Sequence, residues 1–156
     1  MLEPTYYKVL SKDLKQGGFQ YRLGLNIDTE EFNPSNKNSG LYFTNKDNII
    51  LNLRNGENIA EITILDDAYF YKDPEYMRWK ADKIFIEKIY PIKEWDGWNE
   101  ENCLSTIEAN GWAIEFIPEE FKTKELYEVA VKTSVWSLLW IPEEFKTLEF
   151  YLKAIE

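Results

Sequence analysis

"IPEEFKT" occupies residues 117–123 and recurs, unchanged in all seven letters, at 141–147. A shift of 24 residues superimposes the two copies. It also lays Trp112 on Trp136, Glu125 on Glu149, Tyr127 on Tyr151, Ala130 on Ala154 and Val131 on Ile155. Run backwards, Glu101 meets Glu125 and Ile107 meets Val131, so a degenerate earlier unit ends in "IEANGW". Periods of about 20–50 residues mark stacked supersecondary units.

Each unit parses physically. In "TKELYEVAVKT", Leu126, Val129, Ala130 and Thr133 fall at i, i+3, i+4 and i+7, one helical face. The short apolar "WAIEF" and "WSLLW" read as a buried turn or two of helix, with Trp112 and Trp136 in the core between units. A residue before proline is biased away from the α region, so Ile117 and Ile141 end that turn. Pro118 and Pro142 suit a first helical position, and the glutamates after them complement the positive end of a helix dipole. Thr123 and Thr147 are then N-caps, with Glu125 and Glu149 in the first turn. The heptapeptide reads as stop, one-turn bracket, start, with Phe121 and Phe145 pinning the bracket into the groove between units.

Upstream the texture is β. "YYKVL" (6–10), "FQYRLGLNI" (19–27), "GLYFT" (40–44), "NIAEITIL" (58–65) and "DKIFIEKIYPI" (82–92) read as extended segments. "KQGG" (15–18) and "DTEEFNPSNKNS" (28–39) are turn and loop. "NKDNIILNLRNG" (45–56) suggests a short helix capped by Asn45, with Ile49, Ile50 and Leu53 inward and Gly56 as its stop. "DPEYMRWKA" (73–81) suggests another, starting at Asp73-Pro74. "KEWDGWNEEN" (93–102) is a connection. The fold expected is α+β. An N-terminal mixed or antiparallel sheet with short helices (1–92) packs against a C-terminal array of short α-helical repeats of period 24 (93–156). One continuous compact unit is the other arrangement.

Composition limits the chemistry. The 156 residues are 44% hydrophobic and 16% aromatic, enough for a packed core. There is no histidine, which removes Ser-His-Asp and Cys-His catalysis and His-ligated zinc. The single Cys103 cannot form a disulfide within the chain or build a metal cluster, and it aligns with Tyr127 and Tyr151 as a buried, inert thiol. No cofactor is expected. No apolar run of about 18 residues is present, and "MLEPTYYKVL" lacks a basic segment followed by an apolar one. The expectation is a cytoplasmic protein without membrane association.

The net charge of −10 divides unevenly. Residues 1–92 carry 12 basic and 14 acidic side chains (−2), residues 93–156 carry 6 and 14 (−8). So acidic a second half disfavours nucleic-acid phosphates and favours solubility. The basic, aromatic stretch "RWKADKIFIEK" (78–88) resembles a single-strand binding surface in composition. Asp82 and Glu87 interrupt it, and an ordinary two-faced strand, Lys83 and Phe85 opposite Ile84 and Ile86, accounts for it better. The pairs Glu119/Glu120 and Glu143/Glu144 lack converging ligands for a metal, and the helix-start reading explains them. Asp66, Asp67 and Asp73 bound a turn. Trp95, Trp98 and Trp140 are candidates for a recognition surface, or equally for a seal between the halves.

Two resemblances add to this. The order "GGFQYRLG", "SGLYFTNKDNI", "NIAEITI", "KADKIFIEKI", over roughly 5–92, resembles an uncharacterised domain of phages and giant DNA viruses. Phe43-Thr44 stand where that family often has an aromatic residue and cysteine. "NGWAIEFIPEEFKTKELYEVAVK" and "VWSLLWIPEEFKT" resemble short helical repeats of giant viruses of amoebae. These resemblances imply a viral protein, placed in the host cytoplasm or virion, and no particular chemistry. "QYRLG" (20–24) with "SGLYFTNKDNI" (39–49) is also similar to the nucleotide-cradling strands of ADP-ribosyltransferases. That likeness implies NAD held by Arg22 and Tyr42, with Glu61 or Glu87 completing the site. The leading expectation is a noncatalytic interaction or scaffold module whose partner is another protein or a second copy. The alternative is that NAD-binding enzyme or its inactive relative.

Overall fold

The computed structural model describes residues 5–155 (for residues 54 and 55, the backbone alone). The first four residues of the "MLEPTYYKVL" stretch lie outside them. The fold is α+β, with sheets in the N-terminal part and helices in the C-terminal part. The chain divides into two compact units, Met1–Pro91 and Ile92–Glu156.

The first unit is built on a four-stranded sheet. Strands β1 (Tyr6–Leu10), β4 (Gly24–Ile27), β6 (Asn58–Thr63) and β9 (Lys83–Pro91) lie in the order β1-β6-β9-β4. A hairpin, β2 (Lys15–Gln16) and β3 (Phe19–Gln20), turns on Gly17-Gly18, both at positive φ as a tight two-residue hairpin turn demands. A three-stranded sheet orders β5 (Leu41–Phe43), β8 (Arg78–Ala81) and β7 (Phe70–Asp73) as β5-β8-β7. Every named pairing is antiparallel. Tyr7 and Thr44 exchange backbone hydrogen bonds of 2.7 and 2.8 Å, tying β1 to the end of β5. The core gathers Leu10, Leu41, Phe43, Ile62, Ile84 and Ile86, so both sheets give it their apolar faces. A register shift at Glu61/Ile62, opposite Ile86 and Lys88, leaves Glu87 unpaired as a bulge.

Two local expectations give way here. Residues 73–81 form a hairpin, not a helix. Asp73 Oδ1 accepts the N–H groups of Glu75 (3.0 Å) and Tyr76 (3.3 Å), so its carboxylate closes an Asx turn instead of capping a helix. Arg78–Ala81 then pairs with β7 on one side and β5 on the other; a helix there would leave both without a ladder partner. Residues Ile49–Asn55 form a 3-10 helix, with Ile49 and Leu53 buried and Ile50 half-buried. Asn48 is its cap residue, and Asn45 Oδ1 instead accepts from the Asn48 N–H at 3.1 Å.

The second unit is helical. Helix α1 (Glu100–Ala109) starts in a reciprocal capping box between Asn99 and Asn102. Short 3-10 turns, Gly111–Phe116 and Glu119–Phe121, lead to α2 (Lys124–Thr133). Val135–Trp140 and Glu143–Phe145, again 3-10, lead to α3 (Leu148–Ala154). The starts of corresponding elements, 111 and 135, 119 and 143, 124 and 148, differ by 24 residues. Ile117 and Ile141 close their turns in the extended region. Thr123 and Thr147 cap α2 and α3, accepting from Leu126 N–H (3.1 Å) and Phe150 N–H (3.2 Å). Pro118 and Pro142 sit one position earlier than expected, as caps with ψ near 140° rather than inside the turn. Helix α1 packs on α2, and α2 on α3. The buried face of α2 is Leu126, Tyr127 and Ala130, while Thr133 is exposed.

Candidate functional site

The structure distributes the four residues of the NAD-type arrangement. Arg22, exposed just before β4, donates from Nε to Leu25 O at 3.3 Å. Tyr42, on β5, donates its hydroxyl to Lys37 O at 3.1 Å and lies under the Arg78 guanidinium, 4.2 Å from the ring centre. Glu61 accepts from the Tyr90 hydroxyl at 2.8 Å, and Glu87 from the Thr63 hydroxyl at 3.1 Å. Of the four, only Tyr42 lines the cleft of about 680 Å³ in this unit. Arg22 and the two glutamates, engaged elsewhere on β4's approach and on the β6–β9 pair, are not brought to it.

That cleft runs between the Gly17-Gly18 turn, Tyr21, the 28–40 loop, β5 and Arg78. A smaller pocket of about 130 Å³ shares Gln16, Tyr42 and Arg78 with it and adds Lys8. No carboxylate lines the smaller pocket. Arg78 is braced: Asp73 holds its Nε at 3.2 Å, and its guanidinium lies 4.2 and 4.7 Å from the Tyr42 and Tyr76 ring centres.

Two lysines are buried here, and sequence reasoning missed both. Lys80 (1% exposed) donates from Nζ to three carbonyls of the 28–40 loop, Asn33 (2.8 Å), Asn36 (2.8 Å) and Ser39 (3.0 Å). Its ammonium staples the loop over β8, and its stem lies against Gly40. There φ is +91°, and a Cβ would stand 2.7 Å from Lys80 Cδ, so glycine is required. Lys8 (3% exposed) has one hydrogen-bond acceptor, the Tyr42 carbonyl, and lies 4.8 Å over the Tyr21 ring. Burial, with Arg78 adding to it, pulls its amine down from 10.5 to about 7. The available signal was a lone lysine inside each of two short apolar strands, "YYKVL" and "RWKA".

In the second unit, Trp95 and Trp98 are buried rather than surface-forming. Their rings meet edge to face at 5.5 Å, and Trp98 Nε1 donates to Ile92 O at 3.0 Å. Trp112 and Trp136, expected in the core, are 46% and 63% exposed. The reason is the 3-10 geometry of their segments. At about three residues per turn, Trp112 shares a face with Glu115 and Trp136 with Leu139, while Ala113 and Ile114 take the inner face. Trp140 is exposed. Cys103 is buried, and burial, with Glu120 adding to it, pushes its thiol up to about 11.

The acidic groups are held by lysines: Glu119 by Lys122 (2.8 Å), Glu143 by Lys146 (2.7 Å), Asp67 by Lys83 (2.6 Å). Among the described residues, no group of three or more His, Cys, Asp or Glu is placed to hold a metal ion. No helix among them is long and apolar enough to cross a membrane.

A contrast between the two 24-residue segments marks the outer face of α3. Tyr127 is 3% exposed, and Phe145 of the second bracket lies on its ring at 5.1 Å. Its counterpart Tyr151 is 40% exposed. Gly111 is pressed against the Ala130 carbonyl, leaving no room for a Cβ, whereas its counterpart Val135 is exposed. Around Tyr151, helix α3 also exposes Leu148, Leu152 and Ile155.

Residues 99–146 match a family described as a domain of unknown function, DUF4116. The matched stretch runs from the cap of α1 into the second "IPEEFKT". No solved structure matches the chain.

Proposed function

We propose that the protein is a noncatalytic interaction module whose outer α3 face binds a helical segment of another protein. The observation that carries this reading is the contrast between Tyr127, covered by Phe145, and Tyr151, exposed among Leu148, Leu152 and Ile155. The intrachain packing of α3 on α2 is a template for what such a face accepts: a short helix with an aromatic or aliphatic anchor. Charge favours a different protein over a second copy. Residues 93–156 carry −8, and the α3 flank exposes Glu143 and Glu149. A second copy would bring like charge against like, whereas a helix with lysine and arginine beside its apolar seam complements the rim. The resemblance of both halves to phage and giant-virus segments supports a viral setting.

The test is site-specific photocrosslinking from position 152, followed by calorimetry with the purified captured protein. The expected crosslink lies in a basic amphipathic helix, and Leu152→Asp weakens binding of the purified partner at least about tenfold. Crosslinks confined to copies of this chain, or affinity unchanged in Leu152→Asp, would overturn the proposal.

A further inference from the structure

The two buried lysines of the first unit are used differently. A lysine ammonium has three N–H donors. Lys80 directs them at three carbonyls, of Asn33, Asn36 and Ser39, and is a structural staple. Lys8 has one acceptor, the Tyr42 carbonyl, and its remaining donors border the pocket of about 130 Å³. Buried donors normally find acceptors, so this unfilled capacity points to a ligand atom.

The sign of the pocket says which kind. In a chain of 28 acidic and 18 basic residues, this pocket holds Lys8 and Arg78 and no carboxylate. Asp73 takes the Arg78 Nε, and stacking on Tyr42 and Tyr76 fixes the guanidinium plane, which leaves the outer N–H groups as an oriented fork. Gln16 and Thr44 supply neutral hydrogen-bonding groups on the same walls. The volume suits one oxyanion group. The adjoining cleft of about 680 Å³, reached across Gln16, Tyr42 and Arg78, has the size of a small-molecule site and offers the Tyr21 and Phe19 rings.

We propose that the Lys8–Arg78 pocket binds the phosphate or carboxylate of a small organic anion whose aromatic or apolar body lies in the adjoining cleft. Two cations on one wall recognise the charged group, and the tyrosines at the junction receive the ring attached to it. This site is independent of the α3 face and stands or falls separately from it.

The experiment is calorimetric titration of the full chain with inorganic phosphate, phenyl phosphate and benzoate at constant ionic strength. Saturable binding of phenyl phosphate or benzoate is expected, the tighter of the two identifying the preferred headgroup, with inorganic phosphate binding more weakly than phenyl phosphate. Lys8→Met, which exchanges a buried amine for an apolar chain of similar length and so keeps the fold, weakens binding at least about tenfold, and Arg78→Gln does the same. Absence of saturable heat with all three probes at about 10 mM overturns the proposal. So does affinity in Lys8→Met equal to that of the unaltered chain.

Discussion

Replacing Lys8 by methionine makes the fold more stable at neutral pH and less stable at high pH. The folded amine holds its proton only below about 7, whereas in the unfolded chain it holds it to its ordinary value of 10.5. Between those values the unfolded state binds more protons, so stability rises with pH across that window, and the penalty for burying the lysine is complete at pH 7 and below. At about 1.4 kcal/mol per pH unit, a depression of that size corresponds to about 5 kcal/mol. Methionine removes this penalty but leaves the Tyr42 carbonyl without its donor, at about 1–3 kcal/mol. The net expectation is a gain of about 2–4 kcal/mol at pH 7. It shrinks as pH rises and changes sign between about pH 8 and 10 as the native amine becomes neutral in both states. Urea unfolding of both proteins at half-unit steps from pH 6.5 to 10.5 measures the difference directly, since groups untouched by the substitution cancel. A difference that stays flat over this range, or a loss above 2 kcal/mol at pH 7, refutes the reasoning.

Lys80→Met is expected to act in the opposite direction. It removes the donor to three loop carbonyls and lowers stability by about 3 kcal/mol or more in the same urea assay; a neutral result contradicts the staple. Thr123→Ala removes the hydroxyl that accepts from Leu126 N–H and should lower unfolding free energy by about 1 kcal/mol, with Thr123→Ser recovering most of it. The buried Cys103 thiol, raised to about 11, should resist a thiol reagent at pH 8 and react only as fast as the second unit opens. Reaction of native protein within seconds would place it at the surface instead.

The linear chain already held whatever depends on neighbours in sequence. Thr123 and Thr147 are caps because a side-chain oxygen three residues before an unpaired N–H can reach it in any context, and Ile117 and Ile141 are extended because a proline follows. Spacing by 24 gave the order of the helical elements, and the absence of histidine limited the catalytic chemistry. Tertiary structure decided the rest. Asp73-Pro74 has the local chemistry of a helix start, yet Arg78–Ala81 is the central strand of a sheet whose other members lie far off in sequence. Trp112 and Trp136 point outward, and Trp95 and Trp98 inward, because 3-10 turns and an edge-to-face ring contact set the faces, and hydrophobicity alone cannot distinguish them. Lys8 and Lys80 read identically, each one lysine in a short apolar strand. Only the folded chain gives one of them three carbonyls and leaves the other beside an arginine in a pocket without a carboxylate, because burial and charge there come from residues brought together across the sheets.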